Sequence, residues 1–429
     1  MINYTKTVTL NEGINLHLLH SEKFKTVLFG LYIKRPLDRG EVALNALLSR
    51  VLDKATSEHP TARSLNQAFE DLYGSLIVSD VHKYGEKQMI QIKVQVPGEQ
   101  YIGESDLYKR ALGLVNAMIN NPKIEGDGFD ADLVSREKEG LISEIELRKD
   151  QKDSWAVSCC IETMCKSERY SIHEFGTVDE VSRITPKELY DHLNYIWAHS
   201  EIDICVIGDF EPSLMLDTVR DAIQFKRLGV TPLERESIFS IPEKVTYYDE
   251  AHDLTQGKMC LGYRVNLPFE SPLYSAALVA TVIMGGGGSS RFFKIIRERE
   301  GLCYTIYSRM EKFKSIMLVY AGVDFENFEK TEALVEAIVA DVKAGNISDE
   351  ELEIAKKTIV SNIRSVSDYP NSYINYYYNL LISGDVLDDE KYTARILAVT
   401  KEDIASALEN MKLDTVVRLI KEAEDGSNI

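Results

Sequence analysis

Eight histidines and six cysteines are the side chains of this 429-residue chain best suited to metal or thiol chemistry, and their spacing speaks against both. The closest histidine pairs, His17/His20 and His192/His199, lack the four-residue spacing that lets two imidazoles on one helix face share a zinc ion. Cys159, Cys160, Cys165, Cys205, Cys260 and Cys303 contain no C-x-x-C pair, so they read as buried thiols rather than as a disulfide framework or a thiolate metal site. Two carboxylates, Glu137 and Glu144, stand seven residues apart in a charged helical stretch and therefore share a helix face. Alone they make no metal site and read as solvated helix charges. The run Gly285-Gly286-Gly287-Gly288-Ser289-Ser290-Arg291 leads into a helix start but lacks the Lys-Ser/Thr ending of a phosphate loop, and no G-x-S-x-G nucleophile elbow occurs.

The elements that must position these residues recur in one order in each half of the chain. In the first half the apolar run FGLYIKR, with Gly30, precedes a helical stretch over 42–53; in the second LGYRVNL, with Gly262, precedes one over 274–284. A short amphipathic helix and two strand-like segments follow: GSLIVSDV and QMIQIKVQV, then YTIYSRM and SIMLVYAGV. Next come the charged helices LVSREKEGLISEIE and EELEIAKKTIVSNIR. Finally ITPKELYDHLNYIW leads to the strand DICVIGD, as VTKEDIASALENM leads to DTVVRLI, each helix opening on Thr with an acidic residue three positions on. Four matched blocks point to a duplicated domain. The expected organisation is an N-terminal half over 1–225, a linker over 226–244 holding Pro232 and Pro242, and a C-terminal half over 245–429. Strands and helices mix without strict alternation, so each half is expected to be α+β, a mostly antiparallel sheet with helices on one face.

This succession resembles the insulinase/pitrilysin-type metallopeptidase family, in its processing-peptidase branch. The segment ALLSRVLDKAT (46–56) corresponds to the helix on which active members carry His-x-x-Glu-His, two zinc ligands and the Glu that polarises the attacking water. The alignment puts Ala46 and Arg50 at the histidine positions and Ser49 at the Glu. Alanine cannot ligate, a guanidinium repels a cation and a serine hydroxyl is a poor general base. The resemblance makes Glu144, seven residues after Glu137, a vestige of the third ligand. The interval before it looks long for the family, with 98–126 as the inserted stretch.

The second half keeps what the first has lost. Ser290-Arg291-Phe292-Phe293, Arg297-Glu298-Arg299-Glu300-Gly301-Leu302 and Tyr304 match the family's S-R-L-F, R-E-K-R-G-L and following aromatic. In heterodimeric relatives the chain without zinc ligands carries an Arg and a Tyr seven residues apart that hold the substrate backbone over the partner's metal. The resemblance assigns that role to Arg297 and Tyr304; on sequence alone they read as a solvated Arg and a strand aromatic. The glycine run over 285–288 reads as a tight turn, being shorter than the family's mobile substrate loop.

The resemblance implies a non-catalytic, peptide-substrate-binding subunit. It would bind no cofactor itself and would work with a zinc-bearing paralogous chain on a peptide or small unfolded protein, with a homodimer possible in isolation. A structural or assembly role using the fold as a scaffold is the alternative, and a peptidase with a relocated active site a third. A formal charge of −19 opposes a phosphate backbone, which excludes nucleic acid as an expected partner. It reads as solubility first and as a cavity favouring basic peptides second. No apolar run approaches the roughly 18 to 20 residues that span a bilayer, and the first ten residues alternate like a strand rather than a signal peptide. A bacterial cytoplasm is the expected location.

Overall fold

The computed structural model describes residues 4–384 and 389–422. Two compact units form: one from the described residues up to Glu146 with Ile172–Arg235 and Val366–Tyr378, the other from Leu147–Ser171, Glu236–Ser365 and the described residues from Asn379 onward. Residues 223–245 contain no helix or strand.

The first unit is built on six strands, β1 (Tyr4–Asn11), β2 (Ile14–His20), β3 (Thr26–Pro36), β4 (Leu76–Tyr84), β5 (Lys87–Pro97) and β8 (Glu201–Gly208), in the order β1-β2-β8-β3-β5-β4. A two-stranded arm, β6 (Ile124–Glu125) and β7 (Gly128–Phe129), lies apart from this sheet. The ladders are antiparallel except β2 with β8. One face of the sheet carries Ile14, Leu16, Phe29, Leu31, Ile92, Val94 and Ile204, which join the helices Val42–Leu52, Leu107–Asn120 and Pro186–His199 in a single core. The helix Leu107–Asn120 contributes Leu107, Ala111, Leu112, Val115 and Met118 to that core. It is an integral element.

The second unit repeats the plan with five strands, β9 (Thr246–His252), β10 (Gly257–Arg264), β11 (Cys303–Glu311), β12 (Ile316–Val323) and β13 (Lys412–Lys421), in the order β11-β12-β10-β13-β9. All pairs are antiparallel except β13 with β9. The expected Thr-led capping boxes are present: Thr185 with Glu188 opens Pro186–His199, and Thr400 with Asp403 opens Lys401–Ala407. The α+β architecture is therefore the one the sequence implied.

One helix per unit adds a cover on the opposite sheet face. Central strands β3, β5, β8 and β12 are buried along nearly their whole length, which requires protein on both faces. In the first unit the second cover comes from residues 366–378: Tyr378 stacks on Tyr32 at 3.8 Å, and Lys93 Nζ donates to Asn375 Oδ1 at 2.8 Å. In the second unit Lys152–Met164 packs Ala156, Cys160 and Met164 against Cys260, Leu318, Tyr320 and Val417. Each unit thus takes a helix from the other half of the sequence, an exchange the two-halves reading did not contain.

A buried polar chain ties the first unit's helices to its sheet. His192 Nε2 donates to Asn45 Oδ1 at 2.7 Å and Asn45 Nδ2 to Gln88 Oε1 at 2.8 Å; Gln88 Nε2 donates in turn to the Val42 and Glu174 carbonyls. Burial, with the Arg35 charge second, pulls the His192 imidazole from its ordinary 6.5 to about 4. The unfolded chain therefore takes up the proton first as pH falls. This group's stabilisation is complete above about pH 6.5 and drains away between there and pH 4, a span worth roughly 3 kcal/mol. Urea denaturation at pH 7 and pH 5 should show wild type losing about 2 kcal/mol more than His192→Gln over that interval; equal slopes would contradict the assignment.

Candidate functional site

The helix Val42–Leu52 follows from an apolar sequence that buries almost every position, among them Ala46 and Ser49. The Ser49 hydroxyl donates to the Ala46 carbonyl at 2.9 Å, so it is spent inside its own helix. Arg50 is partly exposed. Its Nη1 lies 2.7 Å from Glu144 Oε2 and its Nε 3.4 Å from Glu137 Oε2. Both carboxylates project from the helix Ala131–Leu147, where positions 137, 140 and 144 fall on one face. Glycine at 140 makes the room: a Cβ there would sit 2.9 Å from Arg50 Nη2.

Glu137 and Glu144 are therefore partners of Arg50 and not free solvated charges. The arrangement has the charge pattern of a cation held between two carboxylates, with a guanidinium as the cation. It does not fit zinc, because Ala46 offers no donor and Arg50 brings positive charge to the carboxylates a metal would need. No hydrolytic step follows from these residues. Among the described residues, no three His, Cys, Asp or Glu side chains form a metal-holding group.

The second arrangement lies in the second unit. The helix Tyr274–Gly285 ends against strand β11, so closely that a Cβ on Gly285 would run into the Ser308 backbone nitrogen. Gly287 then turns the chain at φ +128°, a conformation side chains rarely adopt. Arg291, at the end of this turn, is fully engaged: Nε lies 2.6 Å from Glu351 and Nη1 2.7 Å from Asp341, and this pairing pulls the Glu351 carboxyl down to about 2. Arg291 is an anchor.

Residues Phe292–Arg299 wind as a π-helix, with the Glu300 amide donating to the Ile295 carbonyl at 3.0 Å. This wider winding is rare and concentrates at functional sites. Phe292 and Ile296 are fully buried and fix the helix to its unit. Arg297, next to Ile296, is partly exposed, its guanidinium 4.5 Å above the Phe293 ring and 5.3 Å above the Tyr304 ring. Its ion pair, with neighbouring Glu298, is long at 3.8 Å.

Tyr304 falls where the β11–β12 register shifts between Cys303 and Thr305, so it is the extra residue of a β-bulge on an edge strand. Bulges re-aim side chains, and the Tyr304 side chain is directed to solvent, 75% exposed. The structure thus brings Arg297 and Tyr304 together as a stacked, accessible donor pair. The π-winding, the bulge and the Phe293 platform were not foreseen; neither winding nor bulge has a signature in the residue types here. A further accessible feature is β4, one of the two edge strands of the first unit's sheet, where Leu76 and Val78 are exposed.

Comparison with known proteins gives concordant findings. Residues 183–359 match the family model described as the peptidase M16 inactive domain. The chain is 28% identical over 404 residues to "Probable inactive metalloprotease YmfF" of Bacillus subtilis, covering 94% of this chain and 95% of that one. It is 21% identical over 378 residues to "Uncharacterized zinc protease YmxG" of the same bacterium, covering 86% and 85%. A crystal structure of a conserved protein from Enterococcus faecalis superposes with a TM-score of 0.90 at 24% identity, over 98% of this chain and 99% of that one, which shows the shared fold.

The Arg50 clamp makes a paired prediction. Arg50→Ala should lower stability by about 1 kcal/mol, since the pair is partly exposed and two carboxylates lose their counter-charge. Gly140→Ala alone should gain little, because its methyl crowds the guanidinium; in the Arg50→Ala background it should gain up to about 1 kcal/mol of helix propensity. Denaturant titration of the four proteins tests this, and equal effects of Gly140→Ala in both backgrounds would refute the contact.

Proposed function

We propose that this chain, a member of the insulinase/pitrilysin-type (M16) metallopeptidase family whose zinc motif is replaced, acts as the substrate-holding subunit of a two-chain peptidase, with zinc and hydrolysis supplied by a paralogous partner. The observation that carries the reading is the Arg297–Tyr304 pair: a guanidinium 5.3 Å over the Tyr304 ring, on a π-helix and a bulge, with no strong partner for either among the described residues. A solvated Arg held only for solubility needs no such mounting.

The chemistry suits the role. A peptide carbonyl under attack by water accumulates negative charge on oxygen, and a guanidinium and a phenol fixed beside it lower the cost of that charge. Stacking on Phe293 and Tyr304 limits the rotamers of Arg297 before substrate arrives. Neither group attacks the peptide, so the chain alone would be silent. The existence in one bacterium of an inactive relative and a relative named as a zinc protease is compatible with such a pairing. The exposed edge of β4 offers unpaired backbone groups that an extended peptide could join as an added strand. A cytoplasmic location, with short peptides or small unfolded proteins as substrates, accords with this reading.

The test mixes the purified chain with a zinc-bearing paralogue from the same cell and follows cleavage of a quenched-fluorescent peptide. Cleavage in the mixture should fall about 100-fold in kcat with Arg297→Ala plus Tyr304→Ala, with association by light scattering unchanged. Tyr304→Phe should lose part of that, since it keeps the stack and drops one donor. Full activity in the double variant would remove the substrate role and leave the fold as an assembly scaffold.

A further inference from the structure

The chain carries a formal charge of −19, yet one cleft of the first unit is lined with the opposite sign. It has a volume of about 330 Å³, and its charged lining is Lys54, Arg63, Lys123 and Arg136 against Asp130 and Glu137. The two acids are already committed: Asp130 Oδ2 lies 2.5 Å from Lys123 Nζ, and Glu137 faces Arg50. Lys54 is paired with Asp53 at 2.7 Å. Among the described residues, neither Arg63 nor Arg136 has a carboxylate partner; the one protein bond of the Arg136 guanidinium is from Nε to the Asp132 carbonyl at 3.3 Å. Two guanidiniums are thus left uncompensated in one cleft of an otherwise acidic chain, beside an apolar wall of Ala55, Pro60 and Leu133.

We propose that this cleft binds a carboxylate of the peptide substrate, an Asp or Glu side chain or the C-terminal group, with Arg63 and Arg136 as its specificity-determining residues. Guanidinium forks match a carboxylate in shape and charge. The apolar wall accommodates the carbon stem that carries it, and the two resident acids disfavour a multiply charged phosphate. This rests on the reading of the chain as a peptide-binding subunit and gives that reading a substrate class. The acidic composition alone suggested basic peptides; the cleft selects the reverse charge at one position.

Binding to the whole purified chain, followed by fluorescence anisotropy, separates this proposal from the partner-dependent chemistry. The probes are one labelled nonapeptide with an internal Glu, its Gln counterpart, and each of these with a free or amidated C-terminus. The forms bearing a carboxylate should bind about ten-fold more tightly than the neutral form, with the advantage shrinking as salt rises. Arg63→Gln with Arg136→Gln should erase that preference, so that charged and neutral peptides bind alike. Loss of preference on amidation assigns the C-terminal group, and loss on Glu→Gln assigns the side chain; either supports the proposal. Equal affinity for charged and neutral peptides, a preference that survives in the double variant, or inorganic phosphate binding without any peptide preference would overturn it. A silent Arg297→Ala, Tyr304→Ala phenotype in the cleavage assay would leave this result standing, so the two readings fail separately.

Discussion

Gly30 and Gly262 mark the places where a helix comes down on the middle of a sheet, at Gly30 with the Tyr32 ring folded over the glycine as well. A Cβ on Gly30 would lie 3.1 Å from Ile374 Cδ1, and one on Gly262 would lie 2.8 Å from the Met164 sulfur and 3.0 Å from that of Cys160. In each unit the approaching helix belongs to the other half of the sequence. Sheets buried on both faces need this second cover, because continuous apolar strands left open on one side would expose a wide hydrophobic surface. The covering helices bring polar partners with them: Asn375 for Lys93 in one unit, Asp153 for Tyr320 and Lys258 in the other.

Within that frame the charge balance between two helices of the first unit rests on one guanidinium. Two carboxylates on one helix face need a positive neighbour, and Arg50 supplies it from the helix Val42–Leu52. A guanidinium satisfies the charge and holds two helices together, but it cannot polarise a water molecule as a metal does. Gly140 records the accommodation, since a larger residue would crowd that guanidinium. Arg297 and Tyr304, in the second unit, lie outside this ion-pair arrangement and are held by the π-helix and the bulge.

Much of this was legible in the sequence because it rests on periodicity and on capping chemistry. The apolar runs around Gly30 and Gly262, the paired strands after each, and the Thr185 and Thr400 capping boxes all carry local signals. Ala46, Ser49 and Arg50 could be judged by donor chemistry alone. What escaped was set by tertiary contact. The exchange of Lys152–Met164 and residues 366–378 depends on which sheet face a helix covers, and an amphipathic pattern does not name its target. The bulge at Tyr304 depends on how 303–323 pairs across the ladder, and the π-winding of Phe292–Arg299 has no signature in the residue types. Arg50 read as a disabled ligand position; only three-dimensional placement shows it as the counter-charge of Glu137 and Glu144.

The most direct measurement is the zinc content of the purified chain after dialysis against buffered zinc, read together with peptide cleavage by the chain alone. With Arg50 in possession of both carboxylates, the account predicts zinc far below one equivalent and no cleavage above background. One tightly held zinc per chain, with cleavage abolished by a chelator, would contradict it and mean that the chain hydrolyses peptides by itself.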